Sequence, residues 1–578
     1  MFWKILLLTL FGGILASNEE SYVEELLISR LPSDHHLAQF RFIITSRSLE
    51  LGPNYELFPR VLGQLLQAHG IQELEYIATQ GVWHSDHYGP PPQPASSTGA
   101  FLSAKFDGPS NTVDDRWLSV VNSLNGAFCA SLLSMVPAET YKQKNERKGD
   151  YPKAKKLFSR AGTLPREALC TENLTPWRKL LPCKQNGLIS LLNPHKLYGS
   201  LFHSMGFHIH PECKDNSCWY RLELSAIVLF DVPISENRRL DWSLKSFFDR
   251  PISGVCNAAT RSTVLVHQHE EQADSDKPAD VITINGQQFA VYPTEQILGE
   301  KTEGNIFVRY TKSVDLHKKN PPRALSISST LGGKDTFSGL LLTTIKNNEN
   351  EKHTVVYEQV LPWWVRFHYH TKQVLCHDSK QEIVKPYVAN RVFSGAIDRK
   401  RPAYIQMEIE LPANSKCIVS YNFERAFLRM AEYPPDANHG LYIPAATITL
   451  MKRISTGLPE DSRCTERLGN SSECEPRAKQ MVFSNVLLVP MPVPDFSMPF
   501  NVICLVGTAV SLCFGAVHPF STRILVPINE KLPGQSIWRT IFRGILLVLM
   551  AGACYMEYNN ISLNALRREI EKLLSFQF

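Results

Sequence analysis

The sequence lacks the short motifs that mark common catalytic centres. It contains no H-E-x-x-H, no G-x-S-x-G and no Walker A run. Gly332-Gly333-Lys334-Asp335 lacks the first glycine at the spacing a phosphate loop needs, and a Ser or Thr after the lysine. A zinc-protease helix, an α/β-hydrolase elbow and a P-loop are thereby set aside. An excess of one charge is missing too. The 61 Lys and Arg face 56 Asp and Glu, and a net charge of +5 over 578 residues leaves no electrostatic footprint for nucleic acid. The basic cluster Tyr141–Lys156 lacks the interleaved stacking aromatics that single-strand binders use, and reads as a solvated loop. No internal repeat is present.

Ligand and nucleophile patterns are equally sparse. Three His-x-His pairs occur: His208/His210, His267/His269 and His368/His370. On a strand each would put both rings on one face. None has an evident third ligand, so they read as solvent-facing histidines, and no metal or other cofactor is expected. Cys129, Cys170 and Cys256 could serve as thiol nucleophiles beside one of the 18 histidines, yet none lies in a caspase-like or papain-like signature.

What is present points to a secreted-side, membrane-attached protein. Lys4 precedes an apolar run from Ile5 to Leu15, and the small residues Ala16 and Ser17 follow, as in a cleaved signal peptide over residues 1–17. Ten of the 13 cysteines then fall in a presumed lumenal part, where disulfides are permitted. Cys213–Cys218 and Cys464–Cys474 are close enough for local bridges; the full connectivity is not readable from sequence.

No charged residue occurs between Asp495 and Arg523. Asn501–Phe520, at about 1.5 Å per residue, spans the roughly 30 Å hydrocarbon core as a transmembrane helix. Arg523, Lys531, Arg539 and Arg543 against Glu530 mark the following segment as cytosolic, giving type I, single-pass topology. Gly507, Ser511 and Gly515 recur every four residues and form a small-residue stripe for membrane helix packing. Asn501, at the lumenal end, reads either as an interface anchor or as a hydrogen-bond partner for a polar lipid headgroup. Residues 544–556 offer a second, shorter apolar segment: a short crossing, a re-entrant piece or an interfacial helix. Leu563, Leu566, Ile570, Leu573 and Leu574 then line one face of an amphipathic tail. Asn560-Ile561-Ser562 is a sequon only if that end is lumenal.

Prolines 490, 492, 494 and 499 predict a stiff juxtamembrane linker over 491–500. Before it, residues 18–250 read as a lumenal α+β domain. Two strands are expected in Glu24–Arg47, a helix with Leu57, Val61, Leu65 and Leu66 on one side stopping at Gly70, and another helix in Asp114–Met135. From about residue 251 to 490, around seven alternating or β-branched runs without intervening helices predict a β-sandwich-like domain. The fold class is therefore α+β and β-rich, with a C-terminal transmembrane helix.

The segment "CTENLTPWRKLLPC", Cys170 to Cys183, concentrates several signals. Cys170 could close a loop with Cys183, stay free, attack a substrate or bond another protein. Asn173-Leu174-Thr175 and Asn470-Ser471-Ser472 are glycosylation sequons. Asn470, in a polar loop, is the better acceptor. Pro176 is expected to hold Thr175 extended and hinder Asn173.

Ten blocks, from "ELLISRLPS", "LFPRVLGQLL", "TQGVWHSDHYGPP" and "FCASL" through "LPREALCTENLTPWRKLLPC" and "DWSLKSFF" to "LPWWVRFHYHT", "LPANS", "FERAFLRMAEYPPDANHGLYI" and "PDFSMPFNVICL", resemble the PIG-T family of GPI-anchor transamidase subunits. The resemblance runs from near Glu24 to about Arg523; the Cys170 block and the juxtamembrane block are its most specific parts. It implies a non-catalytic scaffold of an endoplasmic reticulum complex. That complex removes a hydrophobic C-terminal signal from a precursor and joins the new carboxyl end to the amine of a GPI glycolipid. The catalytic thiol would belong to a caspase-like partner, PIG-K, with PIG-S, PIG-U and the GPI-anchor attachment protein as further partners. The resemblance further implies that the interchain disulfide to PIG-K would fall on Cys170 and a GPI-binding contact on Asn501. The apolar segment after Arg543 departs from the single helix and short polar tail by which the family is described. Two other classes stay open: a stand-alone lumenal thiol hydrolase and a cargo-binding glycoprotein of the same membrane.

Overall fold

The computed structural model describes residues 20–31, 35–52, 55–92, 94–142, 157–165, 167, 170–214, 217–231, 241–268, 272–284, 287–310, 325–333, 335, 337–378, 380–434, 436–451, 480–493, 497–522 and 537–558. The signal segment, Asn470, Cys464, Cys474, most of the basic cluster and the amphipathic tail with Asn560 lie outside these.

The first half is built on a ten-stranded sheet. Its chain-order strands are β1 (Ser21–Arg30), β2 (His36–Thr45), β3 (Ile71–Gln80), β4 (Gly99–Phe106), β5 (Phe158–Leu164), β6 (Phe202–Lys214) and β7 (Ser217–Phe230). They lie in the order β1, β2, β7, β6, β3, β4, β5, every pair antiparallel. At the other side of β1, strand Arg261–His267 adds in parallel, followed by Gln287–Pro293 and Asp280–Ile284. The boundary expected at residue 250/251 is thereby corrected. Residues 261–293 complete the first sheet, because the β-branched run "STVLV" pairs with β1 and not with the strands after it.

Period two sorts each strand. Tyr22, Leu26 and Ile28 of β1 and Phe40, Phe42 and Ile44 of β2 join one core. Helix Arg60–His69 closes on it with Leu62, Leu65 and Leu66. Val61 is 58% exposed, so the buried face of this helix is turned from the one expected. Gly70 ends it at φ 58°, a left-handed turn that glycine adopts without strain. Helix Val113–Phe128 contributes Trp117, Val120, Val121 and Leu124. The opposite face of the sheet carries a row of buried ion pairs: Arg41 to Glu25 (3.4 Å) and Glu223 (3.3 Å), and Arg221 to Glu223 (2.7 Å).

One buried carboxylate joins three segments. Glu24, on the core face of β1, accepts hydrogen bonds from the Leu188 backbone N–H (3.1 Å), the Ser262 hydroxyl (2.9 Å) and the Tyr22 hydroxyl (2.8 Å). Gly187 approaches so closely that a Cβ there would meet Glu24 Oε2 at 2.5 Å, at a φ of 81°. Disulfide Cys183–Cys256 braces the same region. Cys213–Cys218 bridges directly opposed positions near the tip of the β6–β7 hairpin, as their spacing predicts.

The second half is a sandwich. One sheet orders Leu325–Gly332, Ser338–Asn347, Ser415–Arg425, Gln373–His377 and Ile383–Val384, with Val365–Phe367 also on Ser415–Arg425. The other orders Val388–Ser394, Ala403–Leu411, His353–Leu361, Thr447–Leu450 and Met481–Phe483. Alternate residues fill the space between, and Tyr421 of one sheet hydrogen-bonds Tyr357 of the other at 3.0 Å. Cys376–Cys417 links opposed residues on neighbouring strands. Met491 and the Pro492 carbonyl, which accepts from the Tyr433 hydroxyl at 2.6 Å, still belong to this body. The expected linker over 491–500 is correspondingly shorter.

Residues 494–578 form a separate unit. Within it, helix Ser497–Ser521 contains Phe500–Ser521, whose mean hydropathy reaches 2.1. Among the described residues this is the one helix long and apolar enough to cross a membrane. Helix Ile537–Tyr558 follows, apolar only over Ile541–Ala551.

Replacing Cys183 by Ser opens a loop with a sequence separation of 73. It should lower the unfolding free energy by about 4 kcal/mol on the chain-entropy relation. An unchanged denaturation midpoint for the purified chain in mild detergent would show that the bridge constrains nothing.

Candidate functional site

Helix Thr171–Lys179 presents the Cys170 block. Glu172 lies in its first turn and Arg178 and Lys179 in its last, each complementing the helix dipole. Leu174 and Trp177 bury against the sheet, and the Trp177 indole N–H donates to the Gly206 carbonyl at 3.0 Å. Thr175 is helical and not extended, its hydroxyl donating to the Thr171 carbonyl at 3.1 Å. Pro176 is tolerated in this short helix because it removes a single intrahelical bond.

Cys170 is the N-cap residue. Asn173, one turn in, is 5% exposed. Its Oδ1 accepts the Cys170 backbone N–H at 2.8 Å, while its Nδ2 donates to the carbonyls of Phe128 (2.8 Å) and Cys129 (3.1 Å). One carboxamide thus clamps the end of helix Val113–Phe128 to the start of the Cys170 helix. The same contacts bear on the glycan expected on Asn173. The nitrogen that would carry it is buried and committed to two carbonyls.

The cysteines sort clearly. Cys183 pairs with Cys256, so the small loop Cys170–Cys183 does not form. Cys170 and Cys129 are both exposed and unbridged. The Tyr198 hydroxyl donates to the Cys170 carbonyl. Tyr198 in turn meets the edge of the His203 ring at 5.4 Å. Burial pushes His203 down to about 4, so it is neutral at pH 7. Among the described residues no hydrogen bond joins Cys129 or Cys170 to a histidine, and no group of three or more His, Cys, Asp or Glu has metal-ligating geometry. His208 and His210 do share a face of β6, with stacked rings 4.7 Å apart.

Four of the resemblance blocks converge on one cavity of about 880 Å³ between the ten-stranded sheet and the sandwich, "FCASL" through Ser131. Pro165 and Glu167 come from the Cys170 block, Trp363 and Trp364 from "LPWW", and Glu432 and Tyr442 from the "FERAF" block. Arg399 lies over the Trp363 ring at 4.8 Å and holds Glu432 through two nitrogens, at 2.5 and 2.9 Å. Glu139, in a 3₁₀ turn on the opposite wall, is pushed up to about 7 by burial, against the lowering effect of a hydrogen bond from Trp363. Sequence inspection missed Arg399 and Glu139 as site residues, for neither lies in a recognisable pattern. Cys129 was read there only as a possible nucleophile, since 41 positions separate it from Cys170.

In the C-terminal unit, Asn501 lies exposed in the first turns of the apolar helix. Gly507, Ser511 and Gly515 share one helix face. A Cβ at either glycine would meet nothing within 4 Å.

The fold and site define a disulfide-braced, β-rich body that presents an unpaired thiol and continues into one helix of membrane-spanning length. The comparisons give this class its identity. A family model described as "Gpi16 subunit, GPI transamidase component" matches residues 5–239 and 230–543. The GPI-anchor transamidase component PIGT of Mus musculus is 33% identical over 555 residues, covering 90% of this chain and 93% of that protein. Its Homo sapiens counterpart is 33% identical over 533 residues, covering 87% and 90%. The GPI transamidase component GPI16 of Saccharomyces cerevisiae is 26% identical over 570 residues, covering 88% and 89%. The chain therefore belongs to the Gpi16 family, also known by its PIG-T members, and is a subunit of the GPI transamidase. Among solved structures, the collagen-binding domain of Erysipelothrix rhusiopathiae surface protein RspB aligns over 82% of this chain and 99% of its own. At 9% identity and a TM-score of 0.16, it carries no argument about the fold.

The Glu139 carboxyl has a testable consequence. Its affinity for the proton is higher in the folded state than the ordinary 4.5, so the unfolded chain releases the proton first as pH rises. Stability should fall between about pH 4.5 and pH 7 and level off above. Glu139→Gln should flatten that slope and raise stability at pH 8, read by thermal unfolding across the pH range. An unchanged slope would exclude Glu139 as its source.

Proposed function

We propose that the chain is a non-catalytic scaffold subunit of the endoplasmic reticulum GPI transamidase, covalently tethering the caspase-like catalytic subunit, PIG-K, through Cys170. The observation that carries this reading is the state of the two cysteines of the motif. Cys183 is taken by Cys256, while Cys170 is exposed and free at a helix start fixed from within by Asn173. A thiol held in place but left unbridged suits a covalent link to another chain. PIG-S, PIG-U and the GPI-anchor attachment protein are the further partners of this reading. The body would be lumenal, anchored as a type I protein by the helix Ser497–Ser521. Asn501 would meet the GPI headgroup at the lumenal boundary, and the Gly507, Ser511 and Gly515 face would pack on a neighbouring membrane helix. Asn470 is the proposed glycan acceptor.

On a non-reducing gel, the intact complex should give a covalent heterodimer with the catalytic subunit that is lost in Cys170→Ser. Persistence of the heterodimer in that variant would remove Cys170 as the tether.

Asn501→Leu should leave complex assembly intact while lowering the transfer of precursors to GPI several-fold, measured as GPI-anchored protein at the cell surface. Unchanged surface levels would count against the headgroup contact.

A further inference from the structure

Cys170 is not the one unbridged cysteine of this region: the backbone of a second, Cys129, is linked to its own through the side chain of Asn173. Asn173 spans the two: its carboxamide oxygen takes the Cys170 N–H at 2.8 Å, and its nitrogen reaches the Cys129 carbonyl at 3.1 Å. The two backbones are therefore separated by one side-chain amide and two hydrogen bonds. Both cysteines are exposed. Cys129 also occupies an unfavourable position. It caps helix Val113–Phe128 at φ 51° in the left-handed region, where glycine or asparagine is the usual residue and a β-carbon is strained. Neither packing nor helix capping accounts for cysteine there.

We propose that Cys129 is the resolving thiol of Cys170, the two forming an exchangeable dithiol–disulfide pair. In the uncomplexed chain the pair closes as an intrachain disulfide. The two thiols give up two protons and two electrons to an incoming disulfide of the glutathione or protein class, which is reduced to two thiols. A thiolate of the partner subunit then attacks Cys170 Sγ. The Cys129–Cys170 bond breaks, the partner–Cys170 bond forms, and Cys129 leaves as a thiolate that takes up a proton. No further oxidant is needed for that transfer. In reverse, the Cys129 thiolate attacks Cys170 Sγ and releases the partner thiol. The tether is thus made and broken by one exchange within the chain. The exchange rests on the reading of Cys170 as the tether; the intrachain pair does not.

The test has two arms that separate these. The purified full chain, alone in mild detergent, is incubated with glutathione disulfide, blocked with an alkylating reagent and digested with trypsin without reduction. A disulfide-linked pair of peptides, Trp117–Lys142 with Glu167–Arg178, is expected in the wild type. Cys129→Ser should instead carry glutathione on Cys170. Cys129→Gly, which relieves the positive φ, should behave like Cys129→Ser, so a folding defect is not the cause. Absence of the linked pair, with glutathione on both cysteines of the wild type, overturns the proposal. In the second arm the intact complex is exposed to reduced glutathione. Release of the partner should be about tenfold slower in Cys129→Ser than in wild type, since the internal thiol acts at a millimolar effective concentration. Equal release rates overturn the resolving role. A wild-type complex with no interchain bond defeats the tether reading and the resolving role together, while the first arm still decides the pair.

Discussion

The buried carboxylate of Glu24 is the interaction on which the first half of the molecule depends. It lies on a strand shared by two kinds of pairing, antiparallel to β2 and parallel to Arg261–His267. Burial raises the proton affinity of that carboxyl group, and its oxygens must be met by donors. Leu188, Ser262 and Tyr22 meet them. Those partners come from three separated stretches, so satisfying one side chain brings the segment after the Cys170 helix onto the sheet. Glycine at position 187 allows the approach, and Cys183–Cys256 holds it.

From there the arrangement of the site follows by short steps. The segment carrying Leu188 is anchored by Glu24, and the Cys170 helix just before it is anchored by Trp177 under the sheet. At the other end Asn173 joins that helix to the end of Val113–Phe128. The cap residue is left outside the core, with a thiol that no intrachain bridge uses. A few residues upstream the same block enters the wall of the cavity shared with the sandwich. Several resemblance blocks, the Cys170 block among them, therefore meet in space although they lie up to hundreds of residues apart in sequence. An exposed, unbridged cysteine thus follows a few residues along the chain from the wall of an aromatic, ion-paired cavity.

Much of this was legible in the sequence. Period-two and period-3.6 patterns located β1, β2 and the two long helices, and the glycine after His69 marked a helix end. The close spacing of Cys213 and Cys218 gave their bridge. An uncharged run of helical length located the apolar C-terminal helix. These signals are local: each depends on residues within one turn, one pleat or one hairpin of one another. The resemblance blocks likewise pointed to the family that the comparisons show.

The long-range pairings could not be read that way. Which strand lies beside β1 is decided by burial and register across more than two hundred residues, and a β-branched run reads alike in either sheet. The partner of Cys183 and the solitude of Cys170 depend on where two loops arrive in space. The sequon at Asn173 reads as hindered by an extended Thr175 before Pro176, whereas in the fold Thr175 is helical and the Asn173 amide is turned inward. By itself the sequence determined the elements, the membrane-length helix and the family. The tertiary structure decided which sheet each strand joins, which cysteines of the ten-stranded sheet's half are spent in bridges and that Cys129 and Cys170 are left unbridged. Those outcomes are set by packing between distant segments, which no local pattern encodes.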